Sequence, residues 1–561
     1  MYLFDAVDSQ ASAALVMPMR NYQQAAHDAI IEAWREARRV LAVMPTGTGK
    51  TILFAHIIRS RLADGRALVL AHRQELIFQA AKKIEAVTGV RPVIEMGDMT
   101  ADCRERPRIV VSTVQTQATG RMHSYDPMGF ATVIIDEAHH ATAGTYRKIL
   151  EHYSQSDSLR ILGVTATPDR SDEIALGKVF DAVAYDYELT DAIGDGWLVP
   201  IRQRSIYVEG FDLVSAKAPC GDFTEGELER AIQSDGVLIA MAKTLYQVAA
   251  GQKTIAFMPT VASAEEFTEM LLAERADCAR MVTGKTPDTE RRILFRDYAA
   301  GSFQYLVNVG VATEGFDEPS IECVALCRPT KSRALYAQMV GRGTRPLPGV
   351  VDGLCDGIAR RSAIELSGKS ALHVVDFVGN AGRHKLVSVA DILGGRYEDE
   401  VVELARAKVK KSKGAIDVSD ALRESADEIK ARRKAARERK VKLYQSIEID
   451  PRISEKWIDP FDSFDIEPER ERGWFKNKPI TDKMAAMLKR NRINPDTLNY
   501  TQAKQVIGHI LRNPEQVPCT PGQARVLKRF GYQPGKFNKA GASQLIDAIA
   551  NNGWKRINHE V

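Results

Sequence analysis

The chain of 561 residues is too long for one compact domain, and its length predicts roughly three or four. An apolar fraction of 44% and a charged fraction of 27% exclude a globally disordered, collagen-like or fibrous protein. The sequence has no apolar run near the roughly 18 residues of a membrane helix, and the N-terminal MYLFDAVDSQ lacks the basic start of a secretory signal. Seven cysteines without a C-x-x-C pair favour reduced thiols in the cytoplasm over disulfides or a zinc ribbon.

The net charge of +4 conceals an uneven distribution along the chain. From Val401 onward there are 33 Lys and Arg residues against 21 Asp and Glu residues, a net charge of +12. The first 400 residues contain 44 Lys and Arg residues against 52 Asp and Glu residues, a net charge of −8. A basic tail on a mildly acidic body predicts that the tail meets a polyanion.

Residues 1–195 alternate short apolar runs with amphipathic stretches, and this alternation predicts a first α/β domain. The runs are VLAVMP (40–45), ALVLAH (67–72), RIVVSTV (108–114), TVIIDEA (132–138) and LRILGVTA (159–166). Near-continuous apolar strands separated by helices are typical of a parallel sheet that is covered on both faces.

The alternation pauses at 196–235, which is predicted as an inter-domain connection, and then restarts. The second set of runs is TIAFMP (254–259), QYLVNVG (304–310), ECVALCRP (322–329) and LHVVDFVG (372–379). Residues 236–395 are therefore predicted as a second α/β domain in tandem with the first.

Past about residue 395 the strand pattern stops, and residues 396–471 are predicted as a basic helical linker. Positions 430–442 hold eight basic residues against one acidic residue, Glu438. Such a stretch forms either a solvated helix or a nucleic-acid contact, and the sequence leaves both open.

Residues 472–561 contain an internal repeat, because 481–513 align without gaps onto 520–552 at a constant offset of 39, with ten identical positions. Each copy is predicted as helix, turn and helix, opened by a Thr cap. Two copies are too few for a solenoid and favour a small basic helical domain. Both copies retain a basic pair after a leucine, predicted to contact nucleic acid: Lys489, Arg490, Lys528 and Arg529. Docking of a protein partner is the alternative.

The segment MPTGTGKT (44–51) follows an apolar run and precedes a helical stretch, which is the context of a phosphate-binding loop. Glycines let backbone amides face a polyphosphate, and the helix N-terminus adds its dipole. Met44 stands where the general pattern has its first glycine. The lysine is predicted to neutralise the β- and γ-phosphates and the last threonine to hold Mg²⁺. The predicted nucleotide-binding residues are Thr46, Gly47, Thr48, Gly49, Lys50 and Thr51.

The run TVIIDEAHH places Asp136 and Glu137 at the tip of a predicted strand. Two adjacent carboxylates repel each other unless a cation or a reaction uses them. Asp136 suits the shell of Mg²⁺, and Glu137 can orient and deprotonate a water molecule. The alternative is an acidic loop after a buried strand.

These motifs and five others resemble those of superfamily-two (DEAD/DEAH-type) helicases, in order along residues 15–395. The others are LAHRQEL (70–76), STVQT (112–116), VNVGVATEGFDEP (307–319) and AQMVGRGTR (337–345), and GVTATP (163–168) matches a fifth. The resemblance implies two tandem RecA-like parallel-sheet domains, followed here by a mainly α-helical C-terminal appendage. Within the superfamily, LAHRQEL, DEAHH, GDFTEGEL (221–228) and VVDFVGNAGRH (374–384) are most similar to the RadD-like branch of bacteria and phages.

The resemblance implies a nucleotide site between the two α/β domains, with ATP and Mg²⁺ as cofactors. Arg20 and Gln23 match the adenine-reading segment, and Gly315 and Asp317 match contacts on the nucleotide side of the second domain. Catalytic roles are implied for Asp136 and Glu137 and for Gln338, Arg342 and Arg345 of AQMVGRGTR. The two arginines resemble the family's arginine fingers, which reach the γ-phosphate from the far side.

The family also places nucleic acid across both α/β domains, here around Arg73, Thr113 and Thr313. Such contacts go mainly to phosphates, and the alternative for each residue is a polar loop cap. The implied partner is DNA, single-stranded or forked, and a single-strand-binding or other repair or replication protein is a further expected partner.

The leading functional prediction is an ATP-dependent DNA helicase or translocase. One alternative is the motor subunit of a restriction-type complex, which would need a nuclease from a partner. The other is an ATP-gated DNA clamp without turnover, and the presence of Lys50, Asp136, Glu137 and Arg345 weighs against it.

Overall fold

A computed structural model describes residues 17–512 with internal gaps and part of the chain beyond. The gaps are 73, 101–105, 167–174, 214–221, 233–235, 312–315, 381–386, 396, 413, 446–459, 465, 467, 477 and 492. Beyond 512 the described residues are 523, 526–527, 529–530, 532, 539–552 and 554. The described residues up to Gly395 form one compact unit together with Leu404–Arg423, and the other described residues form a second unit.

The first sheet of the larger unit is parallel throughout the part that the structure describes. Its strands are β1 (Arg39–Val43), β2 (Arg66–Ala71), β3 (Val93–Glu95), β4 (Ile109–Thr113), β5 (Phe130–Asp136), β6 (Arg160–Thr165) and β7 (Ala182–Asp186). Their order is β3-β4-β2-β5-β6-β1-β7. All seven residues of β5 are buried, as expected where helices cover both faces of a parallel sheet.

Helices connect these strands and cover the sheet. Those described as α-helices are Asn21–Ala33, Lys50–Arg61, Gln74–Thr88, Val114–Ala118, Gly144–Tyr153 and Leu189–Gly194. The helix that follows β1 buries Leu53, Phe54, Ile57 and Ile58 completely. Its apolar side chains are therefore part of the domain core, and its N-terminus is held at the sheet edge.

The second sheet lies in the same unit and is parallel except at one edge. Its strands are β8 (Ile201–Asp212), β9 (Thr254–Phe257), β10 (Ala279–Thr283), β11 (Tyr305–Val309), β12 (Cys323–Leu326), β13 (Leu372–Asn380) and β14 (Ile416–Asp417). Their order is β10-β11-β9-β12-β13-β8-β14, with β14 antiparallel to β8. The associated helices are Glu225–Ile232, Val237–Val248, Val261–Glu274, Asp288–Ala299, Arg333–Gly341, Gly357–Glu365 and Val389–Leu393. The predicted fold of two parallel-sheet α/β domains is confirmed.

Two parts of the second sheet differ from the sequence prediction. The stretch 196–235, predicted as a connection, contains β8, and its Phe211, Phe223 and Leu228 are buried in the second core. The strand escaped detection because it has polar and charged residues between its apolar ones, as suits a strand near a sheet edge. The strand pattern also does not stop at 395, since β14 pairs with β8. A strand of two residues is too short to leave a sequence pattern.

Among its described residues, the smaller unit contains two separate apolar cores, one for each copy of the repeat. The first is built from Phe464, Leu488, Ile493, Ala503, Val506 and Ile510. The second is built from Leu527, Ala542, Leu545 and Ile549. Four of these positions correspond at the offset of 39, and the turn bonds correspond too: Ile493 N donates to Leu488 O and Tyr532 N to Leu527 O, both at 3.0 Å.

The described helices of the smaller unit include Pro460–Phe464, Asp482–Arg490, Tyr500–Arg512 and Lys539–Asn551. Thr481 caps the second of them through Met484 N, as the sequence predicts. Phe464 lies before residue 472, the predicted start of the repeat domain, so the core of the first copy begins earlier than that. Two longer helices, Asp399–Lys411 and Val418–Gln445, lie within the predicted linker. Among the described residues no helix is both long and apolar enough to cross a bilayer.

Candidate active site

Three neighbouring strands of the first sheet carry the predicted motifs to one edge. Strands β5, β6 and β1 are adjacent and parallel, so their carboxyl ends lie together. The phosphate-loop segment follows β1, Asp136 ends β5 and Thr165 ends β6. In open α/β sheets, ligands bind at this edge. The topology therefore assembles motifs that are separated by more than a hundred residues of sequence.

The loop at 44–49 has the backbone of a phosphate cradle. Gly47 and Gly49 have φ values of +91° and +75°, which favour glycine. A Cβ at Gly49 would also lie 2.6 Å from Gln23 Nε2. Thr48 closes the turn, since its Oγ1 donates to Pro45 O at 2.7 Å. The buried Thr46 Oγ1 has no hydrogen-bond partner in the part of the chain that the structure describes, so this hydroxyl is available to a ligand in the loop.

Residues ahead of the first sheet brace the loop from behind. Tyr22 OH donates to Thr48 O at 2.7 Å, and Gln23 Nε2 donates to Thr48 O at 2.9 Å and Gly49 O at 3.3 Å. Gln23 Oε1 accepts from Arg20 N. Gln23, predicted to read adenine, therefore holds the phosphate loop with its amide nitrogen and the start of helix Asn21–Ala33 with its amide oxygen.

Glu137 lies at the centre of a buried charge cluster. Its Oε1 is 3.2 Å from Lys50 Nζ, and its Oε2 is 3.5 Å from His139 Nδ1. Burial alone would raise the pKa of Glu137, but the charges of Lys50, His139 and Arg342 outweigh burial and hold the pKa below its ordinary value. The carboxylate is therefore ionised at neutral pH. Glu137 also has a φ of +48°, which is strained for a non-glycine residue and is typical of functional sites.

The oxygen donors predicted to hold Mg²⁺ fit that ion by their chemistry. Thr51 lies in the first turn after the loop, and Asp136 is 7% exposed at the end of β5. Mg²⁺ is commonly bound by one or two protein oxygens together with substrate phosphates and water. The described residues contain no cluster of three or more His, Cys, Asp or Glu side chains that could form an all-protein metal cage. A nucleotide-dependent Mg²⁺ site is consistent with this.

The second α/β domain reaches the phosphate loop directly. A Cβ at Gly47 would lie 3.2 Å from Arg345 Cγ, and a Cβ at Gly341 would lie 2.8 Å from Thr46 Cβ. Arg345 pairs with Asp317, and Arg342 donates from Nη1 to Phe316 O at 2.7 Å. Burial, together with the charge of Arg20, lowers the pKa of Arg345 to about 10, which still leaves it a cation at neutral pH. Gln338 is buried in the helix that ends at Gly341.

The sequence pattern does not reveal Lys369, which anchors the backbone of Arg345. Lys369 is 2% exposed, and its Nζ donates to Arg345 O and to Pro319 O, both at 2.7 Å. Burial lowers the pKa of Lys369 to about 7, with Arg345 adding to the effect. The lysine thus ties the segment after Asp317 to the segment that carries Arg345. Its sequence context, SGKSAL, contains no signal that would reveal this contact.

An aromatic group beside Gln23 was also missed. Tyr22 stacks on Tyr187 at 4.9 Å between ring centroids, and Trp197 meets Tyr22 edge-on at 5.5 Å. The guanidinium groups of Arg20 and Arg360 lie 4.5 Å and 4.0 Å from the Trp197 centroid. These rings surround Arg20 and lie beside Tyr22 and Gln23, which hold the phosphate loop by hydrogen bonds. A sequence signal was present only at Tyr22, which adjoins the predicted adenine-reading residues.

The residues predicted to contact nucleic acid are only partly described. Arg73, Thr313 and Lys528 lie outside the described residues, as does Gly315 of the nucleotide set. Thr113 is 6% exposed and caps helix Val114–Ala118, so its hydroxyl is already engaged within the domain. Lys489, Arg490 and Arg529 are exposed on the smaller unit. The described geometry therefore leaves Lys489, Arg490 and Arg529 accessible to a polyanion in solvent.

Two family descriptions match the parts of the chain that form the two sheets. Residues 16–170 match "Type III restriction enzyme, res subunit", and residues 237–346 match "Helicase conserved C-terminal domain". The "Putative ATP-dependent helicase IRC3" of Saccharomyces cerevisiae is 32% identical over 68% of this chain and 54% of its own length. The "Type I restriction enzyme EcoKI endonuclease subunit" of Escherichia coli is 27% identical over 59% of this chain and 33% of its own length. The chain thus spans little more than half the length of the yeast relative.

One solved structure is similar over almost the whole chain. The "ATP-dependent Type ISP restriction-modification enzyme LlaBIII bound to DNA" aligns with a TM-score of 0.51 over 96% of this chain and 40% of that protein. At 15% identity this likeness concerns the fold alone. The two domain matches and the yeast relative support a similarity of this chain to superfamily-two helicases, and the two parallel-sheet α/β domains agree with that similarity.

Proposed function

We propose that this chain is an ATP-driven motor that moves along DNA or unwinds it. The observation that supports the proposal most directly is the contact between the two α/β domains at the phosphate loop. Gly47 and Thr46 of the first domain pack against Arg345 and Gly341 of the second. A nucleotide in that loop would lie between the two domains, so its binding and hydrolysis would change how they are held together.

The charges of the site indicate how its residues would act. Lys50 and Glu137 hold each other at 3.2 Å, and a bound polyphosphate would draw Lys50 away. Losing that neighbouring cation raises the pKa of Glu137 and makes it a stronger acceptor for a proton from water. Mg²⁺ held by Thr51 and Asp136 would neutralise phosphate charge. Arg342 and Arg345 would stabilise the charge that develops on the phosphoryl group.

The finer assignments belong to the same proposal. We assign DNA as the nucleic acid, a RadD-like placement within the superfamily, and a role in DNA repair or replication. A cytoplasmic location is proposed because Cys278, Cys323 and Cys327 are free, buried thiols. The support is the resemblance of LAHRQEL, DEAHH and VVDFVGNAGRH, together with the basic tail.

An ATPase assay tests the motor. Hydrolysis should require Mg²⁺ and should rise when single-stranded DNA is added, and Lys50→Ala should abolish it. Hydrolysis by the wild type that DNA does not change would contradict the motor, and binding of DNA without any hydrolysis would support a nucleotide-gated clamp instead. Single-stranded RNA at equal concentration tests the assignment of DNA.

The repeat domain is proposed as an accessory nucleic-acid anchor through Lys489, Arg490, Lys528 and Arg529. Removing it should leave DNA-stimulated ATPase activity in place but weaken DNA binding and reduce its salt dependence, by about 0.7 in slope for each lost contact with a single strand. The cut is best placed before Pro460, because Phe464 is buried in the core of the first copy. Unchanged affinity and slope would favour docking of a protein partner, such as a single-strand-binding protein.

A restriction-type motor is the second candidate. The match of residues 16–170 to a restriction-enzyme subunit and the similarity to EcoKI favour it. A strand-displacement assay with the purified chain separates the two candidates. Unwinding by the chain alone supports the helicase, whereas ATP hydrolysis without displacement in the absence of a partner supports the restriction motor.

A further inference from the structure

The smaller unit carries an aromatic cluster at the start of the first repeat. Phe475 ends the short helix Gly473–Phe475, and Tyr500 begins helix Tyr500–Arg512. Their ring centroids are 4.9 Å apart, and the ring planes are inclined by 43°. Two rings tilted in this way are in contact along one side and diverge on the other.

Lysine side chains lie over these rings. Lys478 Nζ is 4.8 Å from the Tyr500 centroid and 5.5 Å from the Phe475 centroid. Lys504 Nζ is 5.8 Å from the Phe475 centroid. Both lysines are exposed, and exposed cation–π contacts are weak. The ammonium groups can therefore leave the rings for a stronger anionic partner.

Among the described residues, the apolar core of the first copy does not include the two rings. The core of the first copy is formed by Leu488, Ile493, Val506 and their neighbours, and the side chains packed around it do not include Phe475 or Tyr500. Both rings are half-buried. They lie beside the core and remain partly open to solvent, which is the placement expected of side chains that meet a ligand.

The charge around the cluster selects the class of ligand. Residues 472–512 contain nine Lys and Arg residues against two Asp residues, a net charge of +7. Aromatic faces interleaved with lysines are the combination that binds single-stranded nucleic acid, where bases stack and phosphates are neutralised. An acidic protein segment would satisfy the charge but would have no comparable use for the tilted rings.

We propose that Phe475, Tyr500, Lys478 and Lys504 form a stacking site for single-stranded nucleic acid, named here the Phe475–Tyr500 platform. One or two bases stack on the rings, and the lysines move from the rings to the flanking phosphates. The assignment rests on the proposed function, because a stacking site is useful to a chain whose motor follows a strand. It differs from the Lys489 and Arg490 contacts, which involve phosphates alone.

The residue types of the platform are not repeated at the offset of 39. At the offset of 39, Phe475 corresponds to Pro514, Tyr500 to Lys539, Lys478 to Val517 and Lys504 to Ser543. The four platform residues are therefore not among the positions that the two copies have in common. The core packing that both copies share does not require them. The two copies share four core positions but differ in residue type at the four platform positions.

The test compares a strand that has bases with one that lacks them. Fluorescence anisotropy of the full-length chain without nucleotide would measure Kd for an oligothymidylate of about 15 nucleotides, within the usual site size of such proteins, and for an abasic strand of equal length. The variants are Phe475→Leu/Tyr500→Leu, which keeps apolar volume, and Phe475→Ala/Tyr500→Ala. Leu511→Ala is the matched control, because Leu511 lies on the helix of Tyr500 and is 66% exposed.

The platform predicts that both double variants lose about 5- to 150-fold in affinity for the oligothymidylate, the effect of one stacked base. Affinity for the abasic strand should change little, and Leu511→Ala should behave as the wild type. Lys478→Gln/Lys504→Gln should instead reduce the salt slope by about 1.4 while keeping the preference for bases. Tyr500→Phe, which retains a ring, should keep that preference as well.

Two outcomes would overturn the platform. One is an affinity of both double variants for the oligothymidylate equal to that of the wild type, which would favour an acidic protein as the occupant. The other is an equal loss for both strands, which would indicate general damage to the unit. DNA-stimulated ATPase activity of the same wild-type preparation tests the motor separately, so that failure of one proposal is distinguished from failure of the other.

Discussion

Asp376→Asn should make the second α/β domain more stable at pH 8 than at pH 5, relative to the wild type. Asp376 lies on β13 and is 7% exposed. Its Oδ2 accepts hydrogen bonds from Gln203 Nε2 at 2.9 Å and from Tyr336 OH at 3.1 Å. Burial raises the pKa of Asp376 to about 7, against the opposing effects of these donors and of Arg406. The asparagine keeps the shape and the acceptor oxygen but has no charge to bury.

The magnitude follows from the difference between the folded and unfolded pKa values. The carboxyl group has a pKa of 3.8 before burial and about 7 in the fold. A raised pKa for an acid means that stability is present in full below pH 3.8 and is lost as pH rises towards 7. At 1.36 kcal/mol per pKa unit the loss is about 4 kcal/mol above pH 7, of which about 3 kcal/mol develops between pH 5 and pH 8. The asparagine variant escapes that loss.

Thermal unfolding at the two pH values measures the effect. A change of 1 kcal/mol shifts Tm by about 2–4 °C in a domain of this size, so the Tm of Asp376→Asn relative to the wild type should rise by about 6–12 °C between pH 5 and pH 8. Glu265→Gln, which alters an exposed carboxylate of the same domain, is the control and should follow the wild type. Identical pH dependence of Tm in Asp376→Asn and the wild type would refute the argument that a buried charge limits stability here.

Three further predictions concern the candidate active site. Glu137→Gln should bind ATP but lose at least about 10² in kcat, because a positioned base contributes that much; unchanged turnover would remove Glu137 from its role. Arg345→Ala should spare nucleotide affinity in equilibrium binding and lose about 10³–10⁵ in kcat; weaker ATP binding with an unaltered maximal rate would contradict it. Lys369→Met should lower kcat by about 10- to 10²-fold with a smaller change in KM, because the substitution removes the hydrogen bonds to the carbonyl groups of Arg345 and Pro319. Changes of equal size in kcat and in KM would indicate an effect on binding instead.

Local pattern was enough to predict most strands and the two motifs at the first sheet edge. The run 132–138 overlaps β5, and the run 40–45 overlaps β1, because buried parallel strands are almost continuously apolar. Gly47 and Gly49 were interpretable for a similar reason, since positive φ angles favour glycine wherever they occur. The offset of 39 likewise anticipated that Leu488 and Leu527 occupy equivalent places in two cores.

The sequence pattern did not predict features whose role depends on residues that are distant in the chain. Strand β8 was interpreted as part of a connection because its charged residues break the apolar run near a sheet edge. Lys369 was missed because its partners, Pro319 O and Arg345 O, are backbone atoms that any sequence supplies. Phe475 and Tyr500 are 25 residues apart, and neither position alone distinguishes a core ring from a surface ring.

By itself, then, the sequence determined the two α/β domains, the phosphate loop, the acidic pair Asp136 and Glu137, and the basic repeat, because each leaves a signal within a short stretch of chain. Only the tertiary structure decided which groups meet: Arg345 beside Gly47, Lys50 against Glu137, and Lys369 beneath Arg345. The physical reason is that periodicity and turn chemistry act over a few residues, whereas contacts between distant segments arise from how two sheets pack their edges together.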